Sequence, residues 1–279
     1  MAKQKKLGII AGGGAIPKML IEHCRATSRD FFVIAIKNNA NEDLIFADDI
    51  PHSWVSIGTS AKGFKRLKQE NVEEIVMIGT INRPTLSDLI PDLRTAKFFI
   101  NVARKALGDD GILRAAIKEF EKDGFQVKGI HEVLPDILVP NGVLGKYKAD
   151  KQALIDIKKG VEIASELGRL DVGQAVVIQQ GLVLAVEGIE GTDKLISRSK
   201  DYHRKGDGGV LVKLRKPQQD MRVDLPTIGP KTIENAAKSG LKGIAIHEGN
   251  ALIVDLEKTI EIANKNKIFI IGINPKDYR

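Results

Sequence analysis

Short apolar runs alternate with helical patterns through the first half of this sequence. The runs Leu7–Ala11, Phe31–Ile36 and Glu74–Gly79 have the length and composition of buried strands, and 54–57 forms a shorter one. Between and after them, apolar residues recur at helical spacing, as in the stretch 111–123. Strands separated by helices pair in parallel through right-handed crossovers. The pattern therefore predicts an α/β fold with an N-terminal Rossmann-like parallel sheet.

The stretch from residue 133 to residue 145 breaks this rhythm. It contains Pro135, Pro140, Gly142 and Gly145, which are typical of a connection between domains. The remaining chain predicts a long helix, an apolar hairpin that bends at Gly181, and further strands and helices. We therefore predict two α/β domains. Residues 1–136 form an N-terminal Rossmann-like domain that binds a nucleotide or sugar, and residues 137–279 form a C-terminal α/β domain with a mixed sheet.

Charge and composition narrow the classes of function. The formal net charge is +7, which attracts phosphates, nucleic acid or an anionic membrane face without choosing among them. Aromatic residues make up only 5% and no strongly basic helix stands out, which argues against binding to nucleic acid.

No apolar run in the sequence approaches the ~20 residues that span a bilayer. The single cysteine, Cys24, cannot form an internal disulfide. We expect a cytoplasmic protein.

A glycine loop follows the first predicted strand. Gly12, Gly13 and Gly14 stand between that strand and a helix, where backbone N–H groups and the helix N-terminus can receive a phosphate. Pro17 stands where a dinucleotide fingerprint has its third glycine, and no Gly-Lys-Ser/Thr sequence follows. The loop is predicted to hold the phosphate or sugar of a nucleotide. A tight turn between strand and helix is the alternative.

Two polar residues follow the strand that ends at Gly79. Asn82 and Arg83 are expected at the same sheet edge as the glycine loop. An arginine suits bidentate contact with phosphate, although pairing with a nearby carboxylate is equally open.

Polar residues crowd into the stretch 186–229. On a strand-like run before Pro226, the side chains of Asp220, Arg222 and Asp224 would share one face. Carboxylate oxygens suit Mg²⁺, which usually takes one or two protein carboxylates plus substrate phosphates. An interposed cation keeps the carboxylates ionised. This arrangement predicts a metal–phosphate site, and a surface ladder of salt bridges is the alternative.

Two lysines precede this acidic run. Lys213 and Lys216 are placed to neutralise phosphate oxygens. The sequence contains no Gly-x-Ser-x-Gly elbow, and its histidines show no metal-ligand spacing, so covalent catalysis and a histidine metal site are not supported.

Five strings of this sequence are distinctive. They are Gly8-Ile-Ile-Ala-Gly-Gly-Gly-Ala-Ile-Pro17, Gly108-Asp-Asp110, Leu170-Asp-Val-Gly-Gln174, Leu184-Ala-Val-Glu-Gly-Ile-Glu-Gly-Thr-Asp193 and Lys216-Pro-Gln-Gln-Asp-Met-Arg-Val-Asp-Leu-Pro-Thr-Ile-Gly229. In these strings the chain resembles one known family, the LpxI pyrophosphatases of lipid A synthesis in Gram-negative bacteria. The likeness runs in order over nearly the whole chain.

The resemblance implies the chemistry and the substrate. It implies Mg²⁺-dependent hydrolysis of UDP-2,3-diacylglucosamine to 2,3-diacylglucosamine 1-phosphate, called lipid X, and UMP, with Mn²⁺ as an alternative ion. It also implies that the lipid-linked UDP-sugar binds between two domains. The acidic run places the metal in the second domain, and the apolar strands of that domain are expected to line a groove for the acyl chains. Asp224 is implied to be needed for activity. Because the substrate is an amphiphile, we expect peripheral contact with the inner membrane. A homodimer remains an open alternative to a monomer.

Combining pattern and resemblance assigns roles to individual residues. Catalysis is assigned to Asp224, Asp220, Lys213 and Arg222. Metal binding is assigned to Asp224, Asp193 and Asp220. Substrate binding is assigned to Gly12, Gly13, Gly14, Asn82, Arg83, Gln174, Gly191, Thr192, Lys216 and Thr227.

Two rivals from other classes are considered. One is a non-enzymatic nucleotide-sugar or sugar-phosphate binding protein, which would bind its ligand without metal-dependent turnover. The other is a nicotinamide-linked oxidoreductase. Pro17 argues against it, as does the sequence Lys37-Asn-Asn39 where an acidic residue should end the second strand.

Overall fold

The computed structural model describes residues 4–42, 49–81, 92–104 and 109–278. The chain divides into two compact units. The first comprises Met1–Pro135 together with Asp220–Asp224, and the second comprises Asp136–Gln219 together with Leu225–Arg279. The short segment Asp220–Asp224, which the sequence-based division placed in the C-terminal domain, thus belongs to the first unit.

The first unit is built on a five-stranded parallel sheet. Its strands are β1 (Leu7–Ala11), β2 (Phe31–Ile36), β3 (His52–Val55), β4 (Glu74–Ile78) and β5 (Gln126–Lys128). Their order in the sheet is β3-β2-β1-β4-β5, which is the order of a doubly wound sheet. The predicted parallel sheet is therefore confirmed.

Helices of the first unit pack an aromatic cluster against this sheet. The helices are α1 (Ile16–Ala26), α2 (Ser60–Gln69), α3 (Leu93–Arg104), α4 (Asp109–Lys122) and α5 (Ile130–Val133). Phe64 of α2 and Phe120 of α4 stack with ring centroids 4.6 Å apart, and Phe125 contacts both rings. Arg94 lies over the Phe64 ring at 3.6 Å from its centroid. Burial of such a side chain contributes about 1.5–3 kcal/mol, so these rings join α2 and α4 firmly.

The second unit contains a six-stranded mixed sheet and a separate two-stranded one. The large sheet has the order β6-β13-β11-β9-β7-β8. Its strands are β6 (Gly142–Leu144), β7 (Ala175–Gln179), β8 (Leu182–Val186), β9 (Val210–Lys213), β11 (Gly243–His247) and β13 (Phe269–Ile273); the small sheet pairs β10 (Thr227–Ile228) with β12 (Leu252–Ile253). Strands β9, β11 and β13 are parallel, whereas β6, β7 and β8 pair antiparallel with their neighbours. The predicted mixed sheet and the two-domain α/β class are confirmed.

Helices cover both faces of the large sheet. They are α6 (Lys151–Arg169), α7 (Thr192–Ser199), α8 (Pro230–Lys238) and α9 (Leu256–Lys265). Ile157 and Val161 of α6 share a core with Val176 and Val212 on one face. The other three helices share a second core with Ile244 on the opposite face. Because both faces are buried, the strands are apolar almost throughout. Among the described residues, no helix has the length and hydropathy that crossing a membrane requires.

The hairpin between β7 and β8 turns at two residues with positive φ. Gln180 has φ +52° and Gly181 has φ +74°, as a type I′ turn requires. Asp156 of α6, only 1% exposed, accepts hydrogen bonds from both turn amides at 3.0 and 2.7 Å. A buried carboxylate thus fixes the predicted hairpin.

Candidate functional site

One edge of the large sheet gathers most of the polar residues assigned to the second unit. The parallel strands β9, β11 and β13 end at this edge. Strand β7 begins there, because Ala175 lies opposite Lys213 in an antiparallel pair, and β8 ends there. We call this region the carboxyl edge and define it by Gln174, Glu187, Lys213, Arg215 and His247. Ligands of open α/β sheets bind beyond such strand ends.

A buried glutamate organises the carboxyl edge. Glu187 is 4% exposed, and its Oε2 accepts the backbone N–H of Gln174 at 2.9 Å. Its Oε1 accepts the hydroxyl of Thr192 at 2.6 Å. Two predicted substrate-binding residues are thereby held by one carboxylate that the sequence-based assignment missed. Gln174 Oε1 is enclosed and has no hydrogen-bond partner among the described residues.

The start of α7 carries the predicted residues Gly191, Thr192 and Asp193. Gly191 is the N-cap and has φ +78°, a conformation that favours glycine. Asp193 accepts a hydrogen bond from Asn235 Nδ2 at 2.9 Å and lies 3.4 Å from Lys231 Nζ. Its position in the first turn suits the helix dipole. The partners of Asp193 therefore tie α7 to α8 and do not resemble a metal site.

Lys213 is a buried lysine at the end of β9. It is 6% exposed, and its Nζ donates to the carbonyl of Thr227 at 3.0 Å. The structure thus brings together two residues that were predicted to contact the substrate. A buried ammonium group requires polar partners, and its field is strong because water is excluded.

Lys216 contacts an acidic residue of its own unit. Its Nζ lies 2.7 Å from Asp171 Oδ1, and its backbone N–H donates to Gln219 Oε1 at 2.9 Å. Any phosphate bound by Lys216 would compete with Asp171 for its ammonium group.

The segment Asp220–Asp224 is a turn and not a strand. The backbone N–H groups of Val223 and Asp224 both donate to the carbonyl of Asp220, at 3.1 and 3.0 Å. The expected strand face shared by Asp220, Arg222 and Asp224 is therefore wrong, because strand alternation does not apply in a turn.

Two carboxylates of the first unit engage Arg222. Its Nε and Nη2 donate to the two oxygens of Asp220 at 3.0 and 2.7 Å, and its Nη1 donates to Glu121 at 2.9 Å. Hydrogen bonds from Arg222 hold the pKa of the Asp220 carboxyl below its usual value despite partial burial. The same pairing with Asp220 raises the pKa of Arg222. Arg222 is thus neutralised by acids, which does not favour its assigned role of stabilising phosphate.

The predicted set of metal ligands is not assembled in the described part of the chain. No group of three or more His, Cys, Asp or Glu side chains there is placed to hold a metal ion. Asp193 and Asp220 have the partners given above. The assignment of Asp224 stays a prediction from the family resemblance; Mg²⁺ can take a single protein carboxylate and complete its shell with water and substrate phosphates.

The glycine loop of the first unit brings two backbone segments into close contact. The N–H of Gly12 donates to Ile78 O and that of Gly13 to Thr80 O, both at 2.8 Å. A Cβ on Gly12 would overlap the carbonyl of Thr80. These two amides are thus engaged by backbone, as the tight-turn alternative expects.

A phosphate at this loop would have to use Gly14 and the start of α1. Gly14 has φ +89°, and the N-cap residue of α1, Ala15, makes no side-chain capping hydrogen bond. The other two predicted residues at this edge, Asn82 and Arg83, lie outside the described residues.

His247 ends β11 and contacts the residue that follows β9. Its Nδ1 accepts the backbone N–H of Arg215 at 3.3 Å. Burial, together with the charge of Arg215, lowers the pKa of His247 to about 4. The imidazole is therefore neutral at neutral pH and acts as an acceptor.

Comparison with known proteins agrees with this architecture. Residues 6–137 match the family model of the LpxI N-terminal domain, and residues 140–271 match that of the LpxI C-terminal domain. The chain is 43% identical over 282 aligned positions to the UDP-2,3-diacylglucosamine pyrophosphatase LpxI of Caulobacter vibrioides. That alignment covers 98% of this chain and 99% of the relative. This chain belongs to the LpxI family.

Proposed function

We propose that this protein hydrolyses the diphosphate of UDP-2,3-diacylglucosamine and releases UMP and 2,3-diacylglucosamine 1-phosphate. The observation that carries the proposal is the 43% identity, over nearly the full length of both chains, to a protein named for acting on this substrate. An identity of this extent supports the same reaction class, which is hydrolysis of a phosphoanhydride in a lipid-linked nucleotide sugar.

The reaction needs a water nucleophile and compensation for charge on the phosphate oxygens. Lys213 is suited to the second task, because its buried ammonium acts where water screening is weak. Glu187 holds Thr192 and the backbone of Gln174 in place, so that these polar groups are preorganised for the sugar or phosphate. Asp224 supplies the carboxylate that the reaction requires.

A divalent cation is part of this proposal. Mg²⁺, with Mn²⁺ as an alternative, would be held by Asp224 and would supply Lewis-acid stabilisation of the phosphate oxygens. The donor set fits a hard cation, because the assigned residue offers oxygen and the diphosphate offers more.

Peripheral contact with the inner membrane is a further part of the proposal. The substrate is an amphiphile, and the net charge of +7 would favour an anionic lipid surface. Co-sedimentation with anionic but not with neutral vesicles is the expected result.

The decisive experiment is incubation of the protein with UDP-2,3-diacylglucosamine and Mg²⁺, followed by chromatographic detection of UMP and the lipid 1-phosphate. The expected result is equimolar release of both products, which EDTA abolishes and added Mg²⁺ restores. A protein that only binds nucleotide sugars would bind the substrate and release no UMP. Full turnover in EDTA would refute the role of the metal while leaving the hydrolase activity intact.

A further inference from the structure

Arg215 is a second cation at the carboxyl edge, two residues after the buried Lys213. It lies where the chain leaves β9, and its side chain is partly buried. Arg215 is not among the residues predicted to bind substrate or metal or to take part in catalysis. Its environment differs from that of Arg169 and Arg198 in the second unit, as the hydrogen bonds and ion pairs show.

The guanidinium of Arg215 makes few contacts. Its Nη1 donates to the carbonyl of Gln219 at 2.9 Å. Its Nε is enclosed and has no hydrogen-bond partner within the part of the chain that the structure describes. An enclosed donor without a partner costs about 1–3 kcal/mol in a folded protein, so folded proteins seldom leave such a group without an acceptor.

Arg215 also lacks an acidic partner among the described residues. By contrast, Arg169 pairs with Glu166 at 2.8 Å, and Arg198 pairs with Glu190 at 2.7 Å. A partly buried cation without an anion is costly unless an anion binds to it.

Backbone contacts hold the segment that carries Arg215 in place. The N–H of Arg215 donates to Nδ1 of His247, and the N–H of the next residue donates to the side chain of Gln219. The guanidinium itself is held through Nη1, while Nη2 has no hydrogen-bond partner among the described residues. Arginine binds carboxylate or phosphate through its guanidinium N–H groups, often in bidentate fashion.

We propose that Arg215 binds the diphosphate of the substrate through its guanidinium, and that His247 is a positioning residue for Arg215. The anion supplies the missing negative charge. Lys213 adds a second positive charge at the same strand end. The identity of the anion rests on the proposed function, whereas the anion site itself rests on the contacts of Arg215.

Binding of inorganic pyrophosphate tests the anion site without catalysis. Isothermal titration would compare the wild-type protein with Arg215→Met and with the control Arg169→Met, which removes an arginine that already has an acidic partner. The expected result is binding about 10- to 100-fold weaker in Arg215→Met, the range for loss of one charge-assisted contact, and unchanged binding in the control. Equal affinities of wild type and Arg215→Met, or no measurable binding by either, would overturn the proposal.

Kinetics with UDP-2,3-diacylglucosamine test the two roles separately. Because Arg215 is proposed to contact the substrate already in the ground state, Arg215→Met should raise KM more than it lowers kcat. His247→Asn keeps an acceptor near the position of Nδ1 and should behave like wild type, whereas His247→Leu lacks the acceptor and should shift KM towards that of Arg215→Met. A His247→Leu protein with the wild-type KM would exclude the positioning role.

The two proposals can fail independently. If the wild-type protein binds pyrophosphate through Arg215 but releases no UMP, the hydrolase function is refuted and the anion site stands. If the wild type hydrolyses the substrate and Arg215→Met is unchanged in KM and in pyrophosphate affinity, the anion site is refuted and the hydrolase function stands.

Discussion

Glu187 offers a sharp test of how the carboxyl edge is built. Its two oxygens hold different elements, since Oε2 accepts the backbone N–H of Gln174 and Oε1 accepts the hydroxyl of Thr192. The side chain is 4% exposed, so water cannot readily replace it. Substitution of Glu187 by Ala removes both acceptors, whereas Glu187→Gln can keep both contacts if its amide oxygen faces Gln174 and its NH₂ group faces the hydroxyl.

The expected size of each effect follows from these contacts. A hydrogen bond to a charged group contributes about 1.5–3 kcal/mol, and two such bonds are lost in Glu187→Ala. At the lower limit of this range for each bond, we expect the free energy of unfolding to fall by about 3 kcal/mol. Glu187→Gln should cost about 1 kcal/mol, because neutral hydrogen bonds replace charge-assisted ones.

Urea unfolding followed by circular dichroism measures these differences. Glu166→Ala is the matched control, because Glu166 is exposed on α6 and pairs with Arg169 at the surface, and it should change stability by less than about 0.5 kcal/mol. Hydrogen exchange of peptides spanning 173–192 would locate the loss in the strands β7 and β8. If Glu187→Ala unfolds at the same urea concentration as Glu166→Ala, the organising role of Glu187 is wrong.

Two further predictions concern His247 and Asp156 of the second unit. The ring of His247 should titrate near pH 4 by NMR, with its resonance assigned through His247→Asn, because burial and the charge of Arg215 disfavour its protonated form. Since the unfolded chain takes up this proton near pH 6.5 and the folded chain only near pH 4, the free energy of unfolding should fall as pH drops through this window. The full difference between these two pKa values would correspond to about 3 kcal/mol. Because the ring is partly exposed, we expect the free energy of unfolding to fall by about 1–2 kcal/mol. Titration of the His247 ring near pH 6.5 would contradict the burial argument. Asp156→Ala should lower the free energy of unfolding by about 2–4 kcal/mol, because it leaves two turn amides without their acceptor, whereas Glu162→Ala on the exposed side of the same helix should have little effect.

Strands buried on both faces were predictable from the sequence. Strands β1 and β2 read as continuous apolar runs because helices or other core residues cover both sides. The hairpin of β7 and β8 was equally visible, since a glycine separates two apolar runs. In these cases the local pattern and the final burial coincide.

Two of the short edge strands, β5 and β6, could not be predicted from the same pattern. Strand β6 has three residues, Gly142–Leu144, and falls in a stretch whose prolines and glycines predict only a connection. It exists because it pairs with β13, more than a hundred positions later in the chain. Strand β5, Gln126–Lys128, is equally short and partly polar. Both strands form because they pair with strands that are distant in the sequence. The local spacing of apolar residues carries no information about such pairing.

The acidic run near residue 222 shows why the details of the site were missed. Alternating acids and bases before a proline are typical of one face of a strand, yet Asp220–Asp224 forms a turn. Arg222 is held there by Glu121, which stands 101 positions earlier in the chain. A contact of this range cannot be inferred from local spacing.

Glu187 was missed for a different reason. The string Glu-Gly-Ile-Glu-Gly-Thr-Asp contains three acids, and no spacing rule singles out the one that is buried. In the structure, Glu190 pairs with Arg198 and Asp193 pairs with Lys231, while Glu187 alone of the three is buried.

Turnover of UDP-2,3-diacylglucosamine by the wild-type protein and by Asp224→Asn is the measurement that tests the central claim most directly. The substitution keeps the size of the side chain and removes its charge, and circular dichroism would establish that the variant is folded. We expect the wild type to release UMP and 2,3-diacylglucosamine 1-phosphate in equal amounts, and Asp224→Asn to be slower by at least about 100-fold, as loss of a catalytic carboxylate or metal ligand implies. Absence of UMP with the wild-type protein, or wild-type rates in the folded variant, would contradict this account.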